Sequence, residues 1–208
     1  MSEAYSPLIS LAMPVYNAAP YLGQAIESIL SQTYENIEVV ICDNCSTDTS
    51  PAIAREFQAK DKRVRFYPNN WNIGFSGNLQ KSTSLAKGDF ILVHAADDFL
   101  LPNAIERFVQ IVRENATAAE NAVVTSDFLV VDQQGKSLSR QTLDDTRIEH
   151  LHVEPHGDGK QRPLVQHYRG KEVLIDRFPI LATIGWIGST MFSKQLYDRV
   201  EGYFSNHW

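Results

Sequence analysis

Short apolar runs alternate with stretches of helical spacing along the first part of the chain. The apolar runs have the length and composition of buried strands, and they are Leu8–Pro14, Ile37–Cys42, Val64–Tyr67, Phe90–His94 and Ala122–Val131. Helices are predicted over Tyr21–Gln32, over Pro51–Lys60, from the Asn-rich segment Pro68–Gly77 to about Leu85, and from Pro102 to about Glu114. The chain is therefore expected to repeat a strand–helix unit.

A repeated strand–helix unit predicts an α/β fold, with a mostly parallel, Rossmann-like sheet and helices on both faces. Right-handed crossovers bring the carboxyl ends of parallel strands to one edge of such a sheet. Ligands bind in the crevice beyond that edge. Residues 14–17, 43–48 and 94–98 follow three of the predicted strands, so candidate chemistry is expected there.

The segment Asp132–Gly170 breaks the alternation and is polar. We therefore expect residues 1–131 to form the ligand-binding α/β half and residues 132–208 to form a partial acceptor-side region of the same domain. The polar segment is expected to be a long loop that is mobile or borders a substrate site. Its histidines His150, His152 and His156 are either metal ligands or solvated loop residues, and their pattern favours the second interpretation.

Composition narrows the class of protein further. The chain has 208 residues, a hydrophobic content of 43% and a formal net charge of −6. This charge argues against a nucleic-acid partner, which needs a basic surface. The sequence contains neither a transmembrane run nor a signal peptide, so we expect a cytoplasmic protein or one at the inner face of the membrane. Cys42 and Cys45 are expected to be reduced thiols, with a redox or zinc pair as the alternative.

The polar residues at the strand ends suit one type of ligand. Tyr16 offers a ring that can stack and Asp43 an isolated carboxylate, while Asp97 and Asp98 form an acidic pair. Hard carboxylate oxygens bind Mg²⁺ or Mn²⁺ together with phosphate oxygens and water. The simpler alternatives are an Asx turn at Asp43 and a helix cap at Asp97 and Asp98. Their expected convergence on one edge favours a nucleotide diphosphate.

Three stretches of the sequence carry a resemblance to a known family. They are PVYNAAPYLGQAIESILSQTYENIEVVICDNCSTDTS at 14–50, NIGFSGN at 72–78 and KGDFILVHAADDFLLP at 87–102. These stretches resemble the family-2 glycosyltransferases of the GT-A fold. The resemblance implies that the donor is a nucleotide sugar, with UDP the expected nucleotide. It also implies inverting transfer to a hydroxyl of a saccharide or lipid-linked acceptor, in the synthesis of cell-surface polysaccharide or glycoconjugates.

The resemblance also implies roles for individual residues. Asp43 would accept from the uracil N–H, Asp97 would bind the cation, Mn²⁺ or Mg²⁺, on the diphosphate, and Asp98 would support that metal site. The implied substrate-binding residues are Pro14, Val15, Tyr16, Asn17, Asp43, Ala96 and Asp97.

Two positions depart from the family pattern. Ala95 replaces the first Asp of the Asp-x-Asp motif, which predicts weaker or more nucleotide-dependent metal binding. The residue before Asn78 is not the Arg that is common there, so Asn78 receives no role.

The resemblance also implies that the catalytic base follows a short helix at Ser193–Val200 and a turn like Glu201–Phe204, and that it lies beyond Trp208, so the catalytic residue is not assigned. The isolated chain is accordingly expected to bind a UDP-sugar and to transfer it poorly. The alternatives are a non-catalytic sugar-nucleotide-binding module and a nucleotidyltransferase of similar fold. A dinucleotide-dependent oxidoreductase is disfavoured, because no Gly-rich turn follows the first strand.

Overall fold

The computed structural model describes residues 5–114, 122–126, 128–131, 137–141 and 190–199. The strands are β1 (Ile9–Val15), β2 (Ile37–Asp43), β3 (Val64–Pro68), β4 (Phe90–Val93), β5 (Val123–Thr125), β6 (Phe128–Val131), β7 (Ser137–Gln141) and β8 (Thr190–Ser193). The helices are α1 (Ala19–Leu30), α2 (Ser50–Lys60), α3 (Gly74–Ser84), α4 (Ala104–Glu114) and α5 (Lys194–Arg199). None of these helices is long and apolar enough to cross a membrane.

Strands β1 to β4 form the parallel part of a larger sheet. Among the described residues, that sheet has six strands in the order β3-β2-β1-β4-β8-β5. The pairs β1–β2, β1–β4 and β2–β3 are parallel, while β8 runs antiparallel to β4. The α/β fold with a mostly parallel sheet is therefore confirmed.

Helices cover both faces of this sheet. Alternate residues of each strand point to opposite faces. The larger core cluster joins one face, represented by Leu11, Val39 and Leu92, to apolar residues of α1 and α4. The opposite face, which includes Ala12 and Ile91, packs against α3 and α5. Burial on both faces explains why these strands appear in the sequence as continuous apolar runs.

The chain divides into two compact units. One comprises Met1–Val124 with Ile187–Trp208 and holds the six-stranded sheet, and the other comprises Thr125–Trp186. In the second unit, β6 and β7 pair antiparallel with a register shift between Val130 and Val131.

Two sequence expectations about this region were wrong. The run Ala122–Val131 is two strands rather than one, because β5 joins the main sheet and β6 pairs with β7. The polar segment Asp132–Gly170 is not loop throughout, because Ser137–Gln141 forms β7. The antiparallel pairing of β6 with β7 gives the backbone N–H and C=O groups of this polar strand their hydrogen-bond partners.

A charged network holds the amino-terminal edge of the sheet together. Glu38 accepts from the Ser10 hydroxyl at 2.6 Å, from the Lys87 amide at 2.6 Å and from the Arg65 guanidinium at 2.6 Å. The Gly88 amide donates to the Ser10 hydroxyl at 2.8 Å. Desolvation raises the pKa of Glu38, but these hydrogen bonds and the arginine charge outweigh it and hold the pKa below its usual value.

The described C-terminal segment completes the same sheet. In β8, Met191 pairs with Leu92 and Phe192 with Ile91. Helix α5 follows directly, and its Tyr197 hydroxyl lies 2.8 Å from the Thr83 hydroxyl of α3. The predicted helix at Ser193–Val200 is therefore present as α5, whereas the strand before it was not predicted.

Candidate active site

Three polar segments meet at the carboxyl edge of the parallel strands. Val15 at the end of β1 pairs with Asp43 at the end of β2, and the Asn44 amide donates to the Val15 carbonyl at 2.8 Å. His94, just after β4, donates its amide to the Ala12 carbonyl of β1 at 2.9 Å. Residues 14–17, 43–48 and 94–98 thus share one edge, as the strand–helix alternation predicted.

The loops after β1 and β2 are tied together by side chains of the second loop. The Asn17, Ala18 and Ala19 amides donate to Ser46 Oγ at 2.9 Å, Ser50 Oγ at 2.9 Å and Asp48 Oδ2 at 3.0 Å, respectively. In return, the Thr47 amide donates to Asn17 Oδ1 at 2.8 Å. Two of these bonds use free N–H groups at the start of α1, those of Ala18 and Ala19. The two loops therefore form one preorganised surface.

Both loops contain a non-glycine residue in the left-handed region. Asn17 has φ 50° and Cys45 has φ 63°. Asparagine adopts this conformation readily, but cysteine does so at an energetic cost. Strain of this kind persists only where the surroundings enforce it, as the hydrogen bonds between the loops do here. Cys42 is buried and Cys45 exposed, and both are free thiols.

Asp43 has one satisfied and one unsatisfied oxygen. Its Oδ2 accepts from the Ser46 amide at 3.1 Å, which is the Asx turn considered as the simpler interpretation. The residue is only 2% exposed, and its Oδ1 finds no hydrogen-bond partner among the described residues. A buried acceptor without a partner costs about 1–3 kcal/mol. The turn therefore uses Oδ2 of Asp43, and Oδ1 remains available to accept a hydrogen bond.

The remaining residues predicted at the β1 end contribute in different ways. Val15 is buried in the larger core cluster, so its side chain serves packing. Pro14 is half-buried beside it. Tyr16 is 52% exposed and presents its ring at the carboxyl edge. A large exposed aromatic ring is suited to stacking on a planar ligand.

A network of asparagines supports this edge and was not predicted from the sequence. Asn44 donates to Asn72 Oδ1 at 2.8 Å and accepts from Asn69 Nδ2 at 3.1 Å. Asn69 also donates to Asn78 Oδ1 at 3.0 Å, and Asn78 donates to the Cys42 carbonyl at 2.8 Å. Asn78 thus joins α3 to the end of β2. The only sequence signal was the density of asparagines between 69 and 78.

Asp97 and Asp98 lie in a turn after β4, and both are exposed. Ala96, between Ala95 and this pair, is 7% exposed. Desolvation, together with the neighbouring charge of Asp97, raises the pKa of Asp98. Helix α4 begins only at Ala104, so the alternative that this pair caps the helix is wrong.

The acidic pair suits a divalent cation only when a bound ligand supplies further oxygen atoms to its coordination shell. Within the described part of the chain, no three or more His, Cys, Asp or Glu side chains are grouped to hold a metal ion. Two carboxylates with phosphate oxygens and water form a donor set that Mg²⁺ and Mn²⁺ accept. The residues therefore fit a cation that arrives on a diphosphate.

His94 was not singled out by the sequence, and it lies directly before this turn. Its side chain is fully buried, and Nδ1 lies 2.7 Å from the Ala95 carbonyl oxygen. Burial lowers the pKa of His94 to about 4, against weaker opposing effects of the Ala95 carbonyl and of Asp97. The imidazole is therefore neutral near pH 7.

Other predicted features lie outside the described residues. They are the candidate metal site of His150, His152 and His156, and the turn Glu201–Phe204.

Comparison with known proteins places this site in a family. The profile of the family described as Glycosyl transferase family 2 matches residues 10–180. The chain belongs to glycosyl transferase family 2. The matched range includes the ends of β1, β2 and β4, so all three polar segments of the candidate site lie within the family's region of similarity.

Sequence relatives agree with this membership. An uncharacterised glycosyltransferase of Rickettsia typhi is 33% identical over 164 residues, covering 74% of this chain and 50% of that protein. Glycosyltransferase GlyG of Streptococcus pneumoniae is 39% identical over 109 residues, covering 52% of this chain and 36% of that protein. The family-2 chain thus spans half or less of the length of these curated relatives.

Solved structures share the fold. The crystal structure of S. aureus TarS residues 1–349 superposes with a TM-score of 0.67 at 18% identity, covering 96% of this chain and 51% of that one. The same protein in complex with UDP gives a TM-score of 0.66, covering 95% and 50%. The mannosyltransferase PcManGT from Pyrobaculum calidifontis, in complex with GDP-Man and Mn²⁺, gives 0.52 at 21% identity, covering 62% and 37%. The predicted GT-A fold is confirmed.

Proposed function

We propose that this family-2 chain binds a UDP-sugar at the carboxyl edge of β1, β2 and β4 for transfer to a hydroxyl acceptor. Family membership supports glycosyl transfer as the reaction class. The superposition on TarS with UDP and with UDP-GlcNAc supports a uridine nucleotide. The observation that carries the proposal is the unsatisfied, buried oxygen of Asp43.

Uracil provides the donor that this oxygen lacks. The N3–H of uracil is an N–H group at the edge of a planar ring, so it can point at a buried acceptor while the ring stacks. Hydrogen bonds to a charged group contribute about 1.5–3 kcal/mol. Tyr16, exposed on the same edge, is the ring we assign to stacking. In this proposal, Pro14–Asn17, at the end of β1 and just after it, lie along the uridine, and Ala96 lies beside it next to Asp97.

We assign the diphosphate to the exposed acidic turn. Asp97 would hold a divalent cation, Mn²⁺ or Mg²⁺, with Asp98 supporting it and phosphate oxygens completing the shell. A cation bound there would neutralise charge on the diphosphate as it leaves. Ala95 offers no carboxylate, so the affinity for the cation depends strongly on the nucleotide.

The reaction proposed is inverting transfer to a saccharide or lipid-linked acceptor. An acceptor oxygen forms a bond to the anomeric carbon, the bond from that carbon to the diphosphate oxygen breaks, and UDP leaves. The acceptor proton passes to a base that is not assigned to any described residue. In this proposal, residues 1–131 hold the nucleotide and residues 132–208 contribute to the acceptor side, for the synthesis of cell-surface polysaccharide or glycoconjugates.

The proposed hydrogen bond between Asp43 and uracil is tested by replacing one carboxylate oxygen with an amide nitrogen. In Asp43→Asn, the remaining side-chain oxygen can still accept from the Ser46 amide. The side-chain N–H₂ group then points toward the base. That group repels uracil N3–H and matches cytosine N3, an acceptor. We expect UDP affinity in calorimetry to fall about 10- to 100-fold, with CDP binding no weaker than before. Asp198→Asn, on α5, is the control and should leave both affinities unchanged. An unchanged UDP-to-CDP preference in Asp43→Asn would exclude the assigned contact.

The cation role is tested separately. UDP should bind more tightly with Mn²⁺ or Mg²⁺ than with a chelator, and Asp97→Ala should remove the difference while leaving the chelator affinity intact. Equal UDP affinity with metal and with chelator in the unmodified chain would rule out the metal role. Product analysis with UDP-sugars separates transfer from binding alone.

A further inference from the structure

The backbone turn that carries the acidic pair is closed on one carbonyl group. The Ala95 carbonyl oxygen accepts from the Asp98 amide at 3.3 Å, so Ala96 and Asp97 form the centre of a turn. The same oxygen lies 2.7 Å from Nδ1 of His94. Two donors from opposite sides of the turn therefore share one acceptor.

The partner of Nδ1 determines which nitrogen of His94 carries the proton. A carbonyl oxygen can only accept, so Nδ1 carries the hydrogen in the neutral ring. Nε2 is then an unprotonated nitrogen, and it has no hydrogen-bond partner among the described residues. The ring is fully buried at the end of β4, so packing holds it in place. A fixed ring gives a fixed direction to the carbonyl that it contacts.

The chain after the turn is anchored by a different element. The Leu100 amide donates to the Ser28 hydroxyl of α1 at 3.1 Å, and the Leu101 carbonyl accepts from Gln32 at 2.8 Å. The turn is thus held downstream by α1 and upstream by His94. Ala95 has no polar side chain of its own to hold the turn. The geometry of Asp97 then depends on the Ala95 carbonyl.

We propose that His94 is a positioning residue for Asp97, acting through the Ala95 carbonyl that closes the turn. The inference rests on the proposed function for the role of Asp97 toward a diphosphate-bound cation. His94 itself touches neither nucleotide nor cation in this proposal. Its contribution is to preorganise the turn, since a metal-binding carboxylate is effective only when its supporting groups hold it in place.

Two substitutions separate the hydrogen bond from the packing. His94→Leu fills the space but donates nothing, whereas His94→Asn places an amide N–H₂ near the position of Nδ1 and can donate to the same carbonyl. In His94→Leu, we expect the Mn²⁺-dependent gain in UDP affinity to fall about 5- to 10-fold, the value of one neutral hydrogen bond. The affinity in chelator should stay the same. His94→Asn should restore most of the gain.

A second measurement needs no ligand. Nitrogen NMR of the unmodified chain should show the Nδ1–H tautomer of His94, and amide exchange at Asp98 should be about 5- to 10-fold faster in His94→Leu than in His94→Asn. An Nε2–H tautomer, or equal exchange in the two variants, would overturn the proposal. Equal loss of chelator and metal affinity would also overturn it, since that indicates a general structural role. Absence of UDP binding by the unmodified chain would instead contradict the proposed function, and the tautomer and exchange results would still decide the link between His94 and the turn.

Discussion

Replacing Asn44 by aspartate should destabilise the fold by far more than the small change in size suggests. The Asn44 side chain is 3% exposed and uses every hydrogen-bonding position that it has. Its amide donates to Asn72 Oδ1 at 2.8 Å and to the Gly74 carbonyl at 3.2 Å. Its oxygen accepts from Asn69 Nδ2 at 3.1 Å and from the Ile73 amide at 2.8 Å. One residue thus holds the β3–α3 loop against the end of β2.

The magnitude follows from these four bonds. The carboxylate that Asn44→Asp introduces would keep the two accepted bonds and lose the two donated ones, and it would place negative oxygens against two acceptors. Each lost bond is worth about 1 kcal/mol net, and the new carboxylate oxygen, buried without a donor, costs about 1–3 kcal/mol. Burial of an unpaired charge adds to this. We therefore expect Asn44→Asp to lower the free energy of unfolding by about 3–5 kcal/mol.

Urea unfolding followed by circular dichroism measures this loss. Asn70→Asp makes the same chemical change at an exposed position of the β3–α3 loop. It should alter the free energy of unfolding by less than about 0.5 kcal/mol. A loss below about 1 kcal/mol in Asn44→Asp would refute the reasoning, because it would mean that the asparagine network is not formed or that water replaces it readily.

Three further predictions concern other parts of the fold. A Cβ at Gly88 would lie 2.5 Å from a backbone carbonyl oxygen, so Gly88→Ala should cost about 2–3 kcal/mol in urea unfolding. Gly23→Ala, where a Cβ meets nothing within 4 Å inside α1, should instead stabilise by about 0.5–1 kcal/mol, and equal effects would contradict the packing described. The folded-state pKa of Glu38 is lowered, so its carboxylate stabilises the fold above the unfolded-state pKa and loses this effect as the pH falls through the folded-state pKa. Glu38→Gln should therefore be about 2 kcal/mol less stable at pH 7, and a difference that did not shrink in acid would refute the ionic role. Burial raises the pKa of the Cys42 thiol to about 12, so iodoacetamide at pH 8 should modify Cys45 alone in the native chain, and rapid modification at Cys42 would disprove its burial.

The parallel strands and the helices between them were predictable because their signals are local. Strand β2 begins at Ile37, as predicted, and runs one residue further than expected, to Asp43. Helix α4 begins two residues after the predicted Pro102, and its buried residues repeat at helical spacing. Burial of one helix face leaves a periodic pattern, and burial of both strand faces leaves a continuous apolar run, in any fold of the same class.

The pairing of strands that are distant in the chain left no such pattern in the sequence. The apolar run Ala122–Val131 gave no sign that its two halves pair with different strands. The short strand β8 was missed for the same reason, because its four residues become a strand only between β4 and β5. Short apolar runs have no preferred partner until the strand order is known.

The candidate site shows the same division. The sequence by itself determined the residue types at the carboxyl edge, including Asp43, Asp97 and Asp98, and the alternation of elements determined that they share this edge. Only the tertiary structure decided which Asp43 oxygen is free, how Asn78 reaches the Cys42 carbonyl 36 residues away, and that His94 Nδ1 contacts the Ala95 carbonyl. The physical reason is that burial involves a whole segment and leaves a pattern in that segment's own sequence, whereas a hydrogen bond depends on the position of two particular atoms, which strand order and register set.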